Sequence, residues 1–303
     1  MLHFVIPDSE NLTPINIKLL RLIKEYPDLF YDDFDILSAY GCPCNCIWNG
    51  GTTNFGISSN KATELVLRKY KENNVEYWFT FTNRLLKPEH LLDAYGNSVL
   101  KIAEASGETC RVLVASDIME NYIREKHPNF KIVQSVCRCE YDLDKINEMS
   151  EKDITVLPIR HNNDFEGSLA KLTHPENIEI LTDEGCVENC PYNRLHYESF
   201  NRFVLRETDT FARCKYTRSG KDYRIRKHYV PRELYPKYEA MGITHMKISG
   251  RNLGKEIIPE YLDVFVRPEY KDIIGDSLNN FNEKRDWDWG SDAEFLEVDT
   301  GDM

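Results

Sequence analysis

The sequence lacks any apolar run long enough to cross a membrane, and it lacks an excess of positive charge. Its longest apolar stretches, such as Val112–Ala115 and Ile154–Pro158, are far shorter than the roughly 20 residues that a membrane helix needs. Lys and Arg total 38 against 50 Asp and Glu, which gives a formal net charge of −12. A chain this acidic is unsuited to binding nucleic acid over its whole surface. We therefore expect neither a membrane span nor a general nucleic-acid-binding protein.

Signals for export and for common hydrolytic sites are also missing. The segment Met1–Pro7 has neither a basic region nor a cleavage site, and its pattern is that of a first strand, which predicts a cytoplasmic protein. No Gly-x-Ser-x-Gly and no His-Glu-x-x-His sequence occurs. Because cytosolic thiols are kept reduced, we expect the nine cysteines to be metal ligands, catalytic thiols or core residues rather than disulfides.

Short β-type runs alternate with helical patterns along the first 270 residues, which is typical of repeated β-α-β units. Eight such repeats favour a closed (β/α)8 barrel of the TIM type in the α/β class, and an open doubly wound sheet is the alternative. The predicted strands are Leu2–Ile6, Phe34–Ala39, Val75–Phe81, Arg111–Ala115, Lys131–Ser135, Ile154–Leu157, Ile178–Leu181 and Ile243–Ile248. The predicted helices are Asn16–Glu25, Asn60–Asn73, Lys87–Ala105, Asp117–Lys126, Leu143–Ser150, Asp164–Leu172, Arg194–Arg202, Pro231–Met241 and Ile257–Phe265.

Two segments depart from this rhythm. Residues 205–232 follow the seventh strand and are predicted to form an insertion over one end of the barrel. Residues 271–303 are polar, and from Asp286 to Met303 every charged residue is acidic. We therefore expect a barrel domain over residues 1–270 and a mobile acidic C-terminal tail over residues 271–303.

The cysteines are concentrated just after predicted strands. In a parallel barrel, the loops after the carboxyl ends of the strands build the active site. Eight of the nine cysteines lie in these loops or in the insertion, and Cys110 alone precedes a strand. Thiolates at short spacings suit iron–sulfur clusters, because each iron needs a terminal sulfur ligand. The pattern favours a [4Fe–4S] cluster over structural zinc, with free thiols as the third alternative.

One connection carries the most informative cysteine spacing. Cys186-x3-Cys190 is followed by Pro191, and several cluster-binding proteins end a short spacing in Cys-Pro. The rest of that connection and the loop after the second strand supply the other thiols. The predicted ligand set is Cys42, Cys186, Cys190 and Cys214. The alternatives replace Cys42 by Cys137 or Cys139, or place a second cluster on Cys44, Cys46, Cys137 and Cys139.

Polar side chains near the same strand ends are candidates for catalysis and substrate binding. His196 and Tyr197 begin a helix after the Cys-Pro turn, where they can donate protons or simply hydrogen-bond a nearby carbonyl. Lys247 and Arg251 flank the end of the last strand, where barrels commonly bind an anionic group. The alternative is that they form a surface salt bridge. The predicted catalytic residues are His196, Tyr197, Lys247 and Arg251. The predicted substrate-binding residues are Asn83, His161, Asn162 and Arg194.

The insertion has a basic stretch. Between Arg213 and Arg232 it carries eight Lys or Arg residues and one acidic residue, Asp222, with tyrosines interleaved. That mixture suits phosphate contacts combined with base stacking. The stretch is a candidate contact for RNA or another polyanion, for the acidic tail of the chain itself, or for solvent alone.

Two motifs carry a resemblance to a known family. The run Cys186–Tyr197, with its Cys190-Pro191-x-x-Arg194 segment, and the strand end Lys247-Ile248-x-Gly250-Arg251 resemble the collagenase-like peptidase family, peptidase family U32. The resemblance extends over the barrel, residues 1–270. Several members of that family look like oxygen-independent hydroxylases of ubiquinone precursors or RNA bases, with a four-cysteine iron–sulfur cluster.

The resemblance implies a barrel enzyme with a [4Fe–4S] cluster that hydroxylates or otherwise modifies a small organic molecule or an RNA base, served by an electron-transfer partner. It places a cysteine just past the second strand, which supports Cys42 over Cys44 and Cys46. The family name implies a peptidase as the alternative. The basic insertion implies an RNA-binding or RNA-modifying protein as a third function. The substrate, the electron donor and the oligomeric state stay open.

Overall fold

A computed structural model describes residues 1–9, 11–52, 59–107, 110–184, 186, 190–208, 228–251 and 253–280. No helix in these ranges is long and apolar enough to cross a membrane. The strands are β1 (Leu2–Pro7), β2 (Phe34–Gly41), β3 (Glu76–Phe81), β4 (Cys110–Val114), β5 (Lys131–Gln134), β6 (Ile154–Leu157), β7 (Ile178–Leu181), β8 (Asp183–Glu184), β9 (His228–Tyr229) and β10 (His245–Lys247). The α-helices are α1 (Thr13–Glu25), α2 (Asn60–Glu72), α3 (Ala94–Ala105), α4 (Asp117–Lys126), α5 (Leu143–Ser150), α6 (Ile159–Asn162), α7 (Asn193–Val204), α8 (Tyr235–Ala240), α9 (Ile258–Phe265) and α10 (Lys271–Asn279).

Eight parallel strands close into a barrel, which confirms the predicted (β/α)8 fold and excludes the open sheet. Strands β1 to β7 lie side by side in chain order, and β10 closes the ring between β7 and β1. Strands β8 and β9 form a separate antiparallel ribbon, in which Asp183 pairs with Tyr229 and Glu184 pairs with His228. This ribbon joins the loop after β7 to the end of the insertion.

Strand residues alternate between two cores. In β3, Trp78 packs inside the barrel with Val5 and Leu113, whereas Tyr77 and Phe79 belong to the core between the barrel and the helices. Both faces of a parallel barrel strand are buried, and this is why the strands are nearly continuous apolar runs.

Two predicted helices are changed by aspartate side chains. The segment Lys87–Ala105 is a 3-10 turn followed by α3, because Asp93 caps α3 by accepting from the backbone amide of Gly96 at 2.6 Å. The helix predicted over Asp164–Leu172 is wrong. Asp164 accepts from the amides of two residues that follow it, and this hydrogen bonding closes a turn where a helix would begin.

The C-terminal boundary also differs from the expectation. Residues 271–279, which the sequence analysis assigned to the tail, form α10, and this helix packs against α9 and α1. Its Ile274 and Leu278 are buried on one face, as their spacing of four residues allows. The acidic residues 281–303 and the basic residues 209–227, which include Cys214, lie outside the described residues.

Candidate active site

Arg251 links two parts of the barrel mouth, the end at which the strands finish. It follows β10, and its guanidinium donates to the side chain of Asn49 at 3.0 Å and to the carbonyl of Gly50 at 2.9 Å. It also donates to the hydroxyl of Thr80 in β3. These charge-assisted bonds hold the loop after β2 against the mouth. Arg251 therefore lies where the sequence predicts, with its guanidinium bonded to protein groups.

Gly51 marks a point where several of these groups crowd together. Its φ of +76° lies in the left-handed region, and a Cβ at this position would lie 2.7 Å from Sγ of Cys137. The same Cβ would lie 3.4 Å from Nη2 of Arg251 and 3.9 Å from the ring of Tyr197. Glycine is required here by both the backbone and the space. The three side chains meet around it.

Two thiols contact the side chain of Asn193, and a third is hydrogen-bonded to one of them. The thiol of Cys139 donates to Oδ1 of Asn193 at 3.8 Å, and Nδ2 of Asn193 donates to Sγ of Cys186 at 3.4 Å. Cys186 is in turn hydrogen-bonded to Cys190. Cys139 follows β5, whereas the other two follow β8. We call Cys139, Cys186 and Cys190 the Asn193 thiol group.

A small cleft opens beside the Asn193 thiol group. Its lining includes Tyr141, Arg160, Glu184 and Tyr197. The guanidinium of Arg160 lies 3.7 Å from the centre of the Tyr141 ring, which is close enough for a cation–π interaction. The described lining of the cleft thus combines the thiol of Cys190 with hydroxyl groups, a guanidinium and a carboxylate.

Neighbouring polar groups act against the effect of burial on Cys139 and Cys186. Burial raises the pKa of Cys139, and the positive charges of Arg84 and Arg194 oppose that rise. Burial also raises the pKa of Cys186 to about 11, and the hydrogen bond from Asn193 opposes it. Thiols with raised pKa values are protonated at neutral pH, and they lose their protons when a metal ion binds.

The cysteines predicted as cluster ligands lie in two places. Cys42 is hydrogen-bonded to Cys46, and both are buried in the turn after β2. The Cys186–Cys190 pair lies instead beside Cys139, which the sequence analysis offered as a replacement for Cys42. Cys214 lies outside the described residues.

The residues after the Cys-Pro turn have different surroundings on α7. The ring of His196 stacks on that of Phe200, with the ring centres 4.9 Å apart. Arg194 is exposed and donates to Glu198 at 3.1 Å. Tyr197 lines the cleft, and burial raises its pKa well above the usual range. Of these three residues, Tyr197 is the one that lines the cleft.

Two predicted substrate-binding amides make hydrogen bonds within the fold. Asn83 is buried and donates to the carbonyl of Ile47 at 3.0 Å, which ties the end of β3 to the loop after β2. Asn162 is also buried and donates to the carbonyl of Leu181, the last residue of β7, at 2.8 Å. In the described structure, both side chains position neighbouring loops.

Both ring nitrogens of His161 have partners. Nδ1 lies 2.9 Å from Oγ of Ser168, and Nε2 lies 3.2 Å from the carbonyl oxygen of Tyr141. Because Nε2 faces an acceptor, the network assigns the proton to Nε2. Burial lowers the pKa of His161, so the ring is neutral at neutral pH. Its contact with Tyr141 places His161 behind the wall of the cleft.

Lys247 lies inside the barrel and pairs with a buried carboxylate. Its Nζ donates to Oε1 of Glu179 at 3.0 Å and lies 4.1 Å from the centre of the Tyr40 ring. Burial lowers the pKa of Lys247, and the charge of Glu179 opposes that change. This ion pair is buried, whereas the alternative considered from the sequence was a surface salt bridge.

Asp8, which is not among the residues predicted from the sequence, follows β1 at the same end of the barrel. Its Oδ1 accepts from the hydroxyls of Thr13 at 2.9 Å and Tyr70 at 2.6 Å, and its Oδ2 accepts from Tyr77 at 3.1 Å. Burial raises the pKa of Asp8 to about 6, and these hydrogen bonds oppose the rise. Its position just after a strand is the signal that could have identified Asp8 as a candidate. No cysteine or histidine lies beside it in the loop after the strand to strengthen that signal.

Asp8→Asn is expected to gain stability relative to wild type as the pH rises. The pKa of Asp8 is about 6 in the folded chain against 3.8 for a free aspartate. The stability that Asp8 contributes is therefore fully present below the unfolded pKa and is lost as the pH rises through the folded one. The difference between the two proteins should shift by about 3 kcal/mol over this window. Urea unfolding at about pH 4 and about pH 7.5 measures it.

Asp28→Asn is the control for this comparison, because Asp28 is exposed. Its stability relative to wild type should change little between the two pH values. If Asp8→Asn behaves in the same way, burial does not disfavour the Asp8 charge.

Comparisons with known proteins bear on the fold. No family model and no curated protein matches the sequence. A solved structure described as "The Structure of the U32 Peptidase Mk0906" is similar over 82% of this chain and 93% of that chain, with a TM-score of 0.51 and 14% sequence identity. At that identity the likeness shows the fold alone. The chain therefore shares the barrel fold of a U32 peptidase, as the two sequence motifs implied.

Proposed function

We propose that this chain is a redox enzyme whose barrel mouth holds a [4Fe–4S] cluster beside an organic substrate, which it hydroxylates or otherwise modifies without oxygen. The observation that carries the proposal is the Asn193 thiol group at the carboxyl end of the barrel. Structural cysteines are expected to be spread through the core. Of the eight described cysteines, seven lie at this end, and Cys110 alone begins a strand.

The proposed ligands are Cys139, Cys186 and Cys190, with Cys214 as the fourth. Cys139 takes the place predicted for Cys42, because its thiol and that of Cys186 both bond to the side chain of Asn193, and Cys186 is bonded to Cys190. Among the described side chains, no three of His, Cys, Asp or Glu are placed to hold a metal ion. Ligation would therefore draw the thiols of this group closer together.

The charges near the thiol group suit an anionic cluster. Arg84 and Arg194 act on the thiol of Cys139, and Arg160 lies over the ring of Tyr141. Guanidinium groups reduce the cost of deprotonating buried thiols, which metal ligation requires. When bound, the cluster would supply electron transfer at this position.

The protein groups that would face a substrate line the cleft beside the thiols. Tyr197 and Asn193 offer hydrogen bonds, and the stacked pair of Arg160 and Tyr141 offers a flat surface. Planar rings stack favourably on tyrosine and on guanidinium groups. The cleft holds only about 20 Å³, so a flat, polar organic molecule, in the free state or as an RNA base, would lie across its mouth with one polar group inside. The role of Tyr197 would be to donate a hydrogen bond to that molecule.

Reduction by dithionite tests the redox role. A reduced [4Fe–4S] cluster is paramagnetic, so the anaerobically isolated full chain should give an electron paramagnetic resonance signal of about one spin per chain. Tyr197→Phe should keep the same spin count, because Tyr197 is not a proposed ligand. Iron-loaded protein that gives no signal on reduction would count against a redox enzyme.

A peptidase is the second candidate, and it is favoured by the description of the solved structure that shares this fold. A peptidase needs an activated nucleophile or a hydrolytic metal site. Burial raises the pKa of the Cys139 and Cys186 thiols, whereas a nucleophilic thiol needs a lowered one. Gelatin cleavage can be measured as the release of new amino termini. Cleavage by both the wild type and Cys186→Ser would favour the peptidase, because Cys186→Ser lacks a proposed cluster ligand.

A further inference from the structure

Asp8 is a buried carboxylate whose neighbours provide no positive charge. It is 1% exposed. Its partners are the hydroxyls of Thr13, Tyr70 and Tyr77, the side-chain amide of Asn16 and the backbone amide of Ser9. No Lys, Arg or His in the described part of the chain is paired with it. Because a buried charge without a counter-charge is costly, this position favours a cation from outside the protein.

A cavity of about 60 Å³ borders Asp8, between the loops after β1 and β2 and the helix α2. Its wall is apolar at Val66, Leu67 and Phe79 and carries the hydroxyl of Thr63. No basic side chain is present among the described residues that line it. An apolar cavity with a few converging polar groups is the usual form of a small-molecule site.

We propose that this cavity binds a small alkylammonium ion, with Asp8 as its counter-ion. The ammonium group would supply the missing positive charge, and the alkyl group would contact the apolar wall. Oδ2 of Asp8 accepts one side-chain hydrogen bond, from Tyr77, so it keeps capacity for an ammonium N–H. The volume limits the ligand to a few non-hydrogen atoms and excludes a peptide or nucleotide.

An inorganic cation fits the same cavity less well. Hard cations such as calcium and magnesium take six or more oxygen ligands, whereas much of this wall is carbon and sulfur. Within the described ranges, no three metal-ligating side chains converge here. The chemistry of the wall therefore favours an organic cation.

Titration calorimetry of the full chain with isobutylammonium chloride tests the proposal. The neutral isobutanol and potassium chloride are the matched probes. Only isobutylammonium is expected to bind, and Asp8→Asn should weaken it by at least about tenfold. Asp28→Asn, which changes an exposed carboxylate, should bind like the wild type. Equal binding of isobutanol or of potassium ion would overturn the proposal.

A second variant tests the location without changing Asp8. Ala62 is exposed in the first turn of α2 and lines the cavity, so Ala62→Trp would fill the entrance. This variant should lose isobutylammonium binding, whereas Ala105→Trp, at an exposed position of α3, should keep it. Binding of wild-type strength by Ala62→Trp would show that the cavity is not the site.

Discussion

Replacement of Lys247 by Met is expected to lower the free energy of unfolding by about 3–5 kcal/mol, because it leaves Glu179 as a buried, unpaired charge. Glu179 is 0% exposed and Lys247 is 4% exposed, and Nζ lies 3.0 Å from Oε1. The second carboxylate oxygen, Oε2, is buried and has no hydrogen-bond partner within the described ranges of the chain. The lysine therefore provides most of the compensation for this carboxylate. Urea unfolding near neutral pH measures the loss.

Two further variants show whether the loss comes from the unpaired charge. The double variant Lys247→Met with Glu179→Leu should recover much of the stability, because it removes both charges. Lys271→Met breaks a more exposed pair with Asp263 and should cost less than about 1 kcal/mol. A loss in Lys247→Met no larger than in Lys271→Met would mean that the ion pair contributes little to the barrel.

Serine at Cys139, Cys186 or Cys190 is expected to remove most of the iron from the anaerobically reconstituted protein. Each replacement removes a proposed terminal ligand, and a [4Fe–4S] cluster needs four. Cys110→Ser should keep the iron, because Cys110 begins β4 at the opposite end of the barrel. Iron and sulfide analysis measures the result, and circular dichroism shows whether each variant is folded.

Cys42→Ser distinguishes the two ligand sets. Cys42 lies with Cys46 in the turn after β2, and we expect its serine variant to retain iron. Loss of iron from Cys42→Ser together with retention by Cys139→Ser would restore the set first predicted from the sequence. Equal loss from all variants, including Cys110→Ser, would mean that iron content reports general damage to the fold.

The barrel could be predicted from the sequence because its strands are buried on both faces. Apolar runs bounded by polar residues indicate such strands, and all eight appear in the structure close to the predicted bounds. Helix ends were less predictable. The side chains of Asp93 and Asp164 bond to backbone amides and decide locally between a helix and a turn.

The sequence also predicted which end of the barrel carries the thiols, since that follows from strand positions. It did not determine which thiols meet. That depends on the path of each loop, including the left-handed residues Asn45, with φ of 61°, and Cys139, with φ of 55°. Such conformations are uncommon for residues other than glycine, and cysteine spacing does not encode them. Cysteine spacing therefore favours Cys42 as the predicted partner of the Cys186–Cys190 pair but cannot decide between it and the alternative, Cys139.

The most direct test of the central claim is iron and acid-labile sulfide analysis of the full chain isolated without oxygen. The account predicts a brown protein with broad absorption at about 400 nm and about four iron and four sulfide per chain. A colourless protein that contains stoichiometric zinc, or that takes up no iron on anaerobic reconstitution, would contradict it.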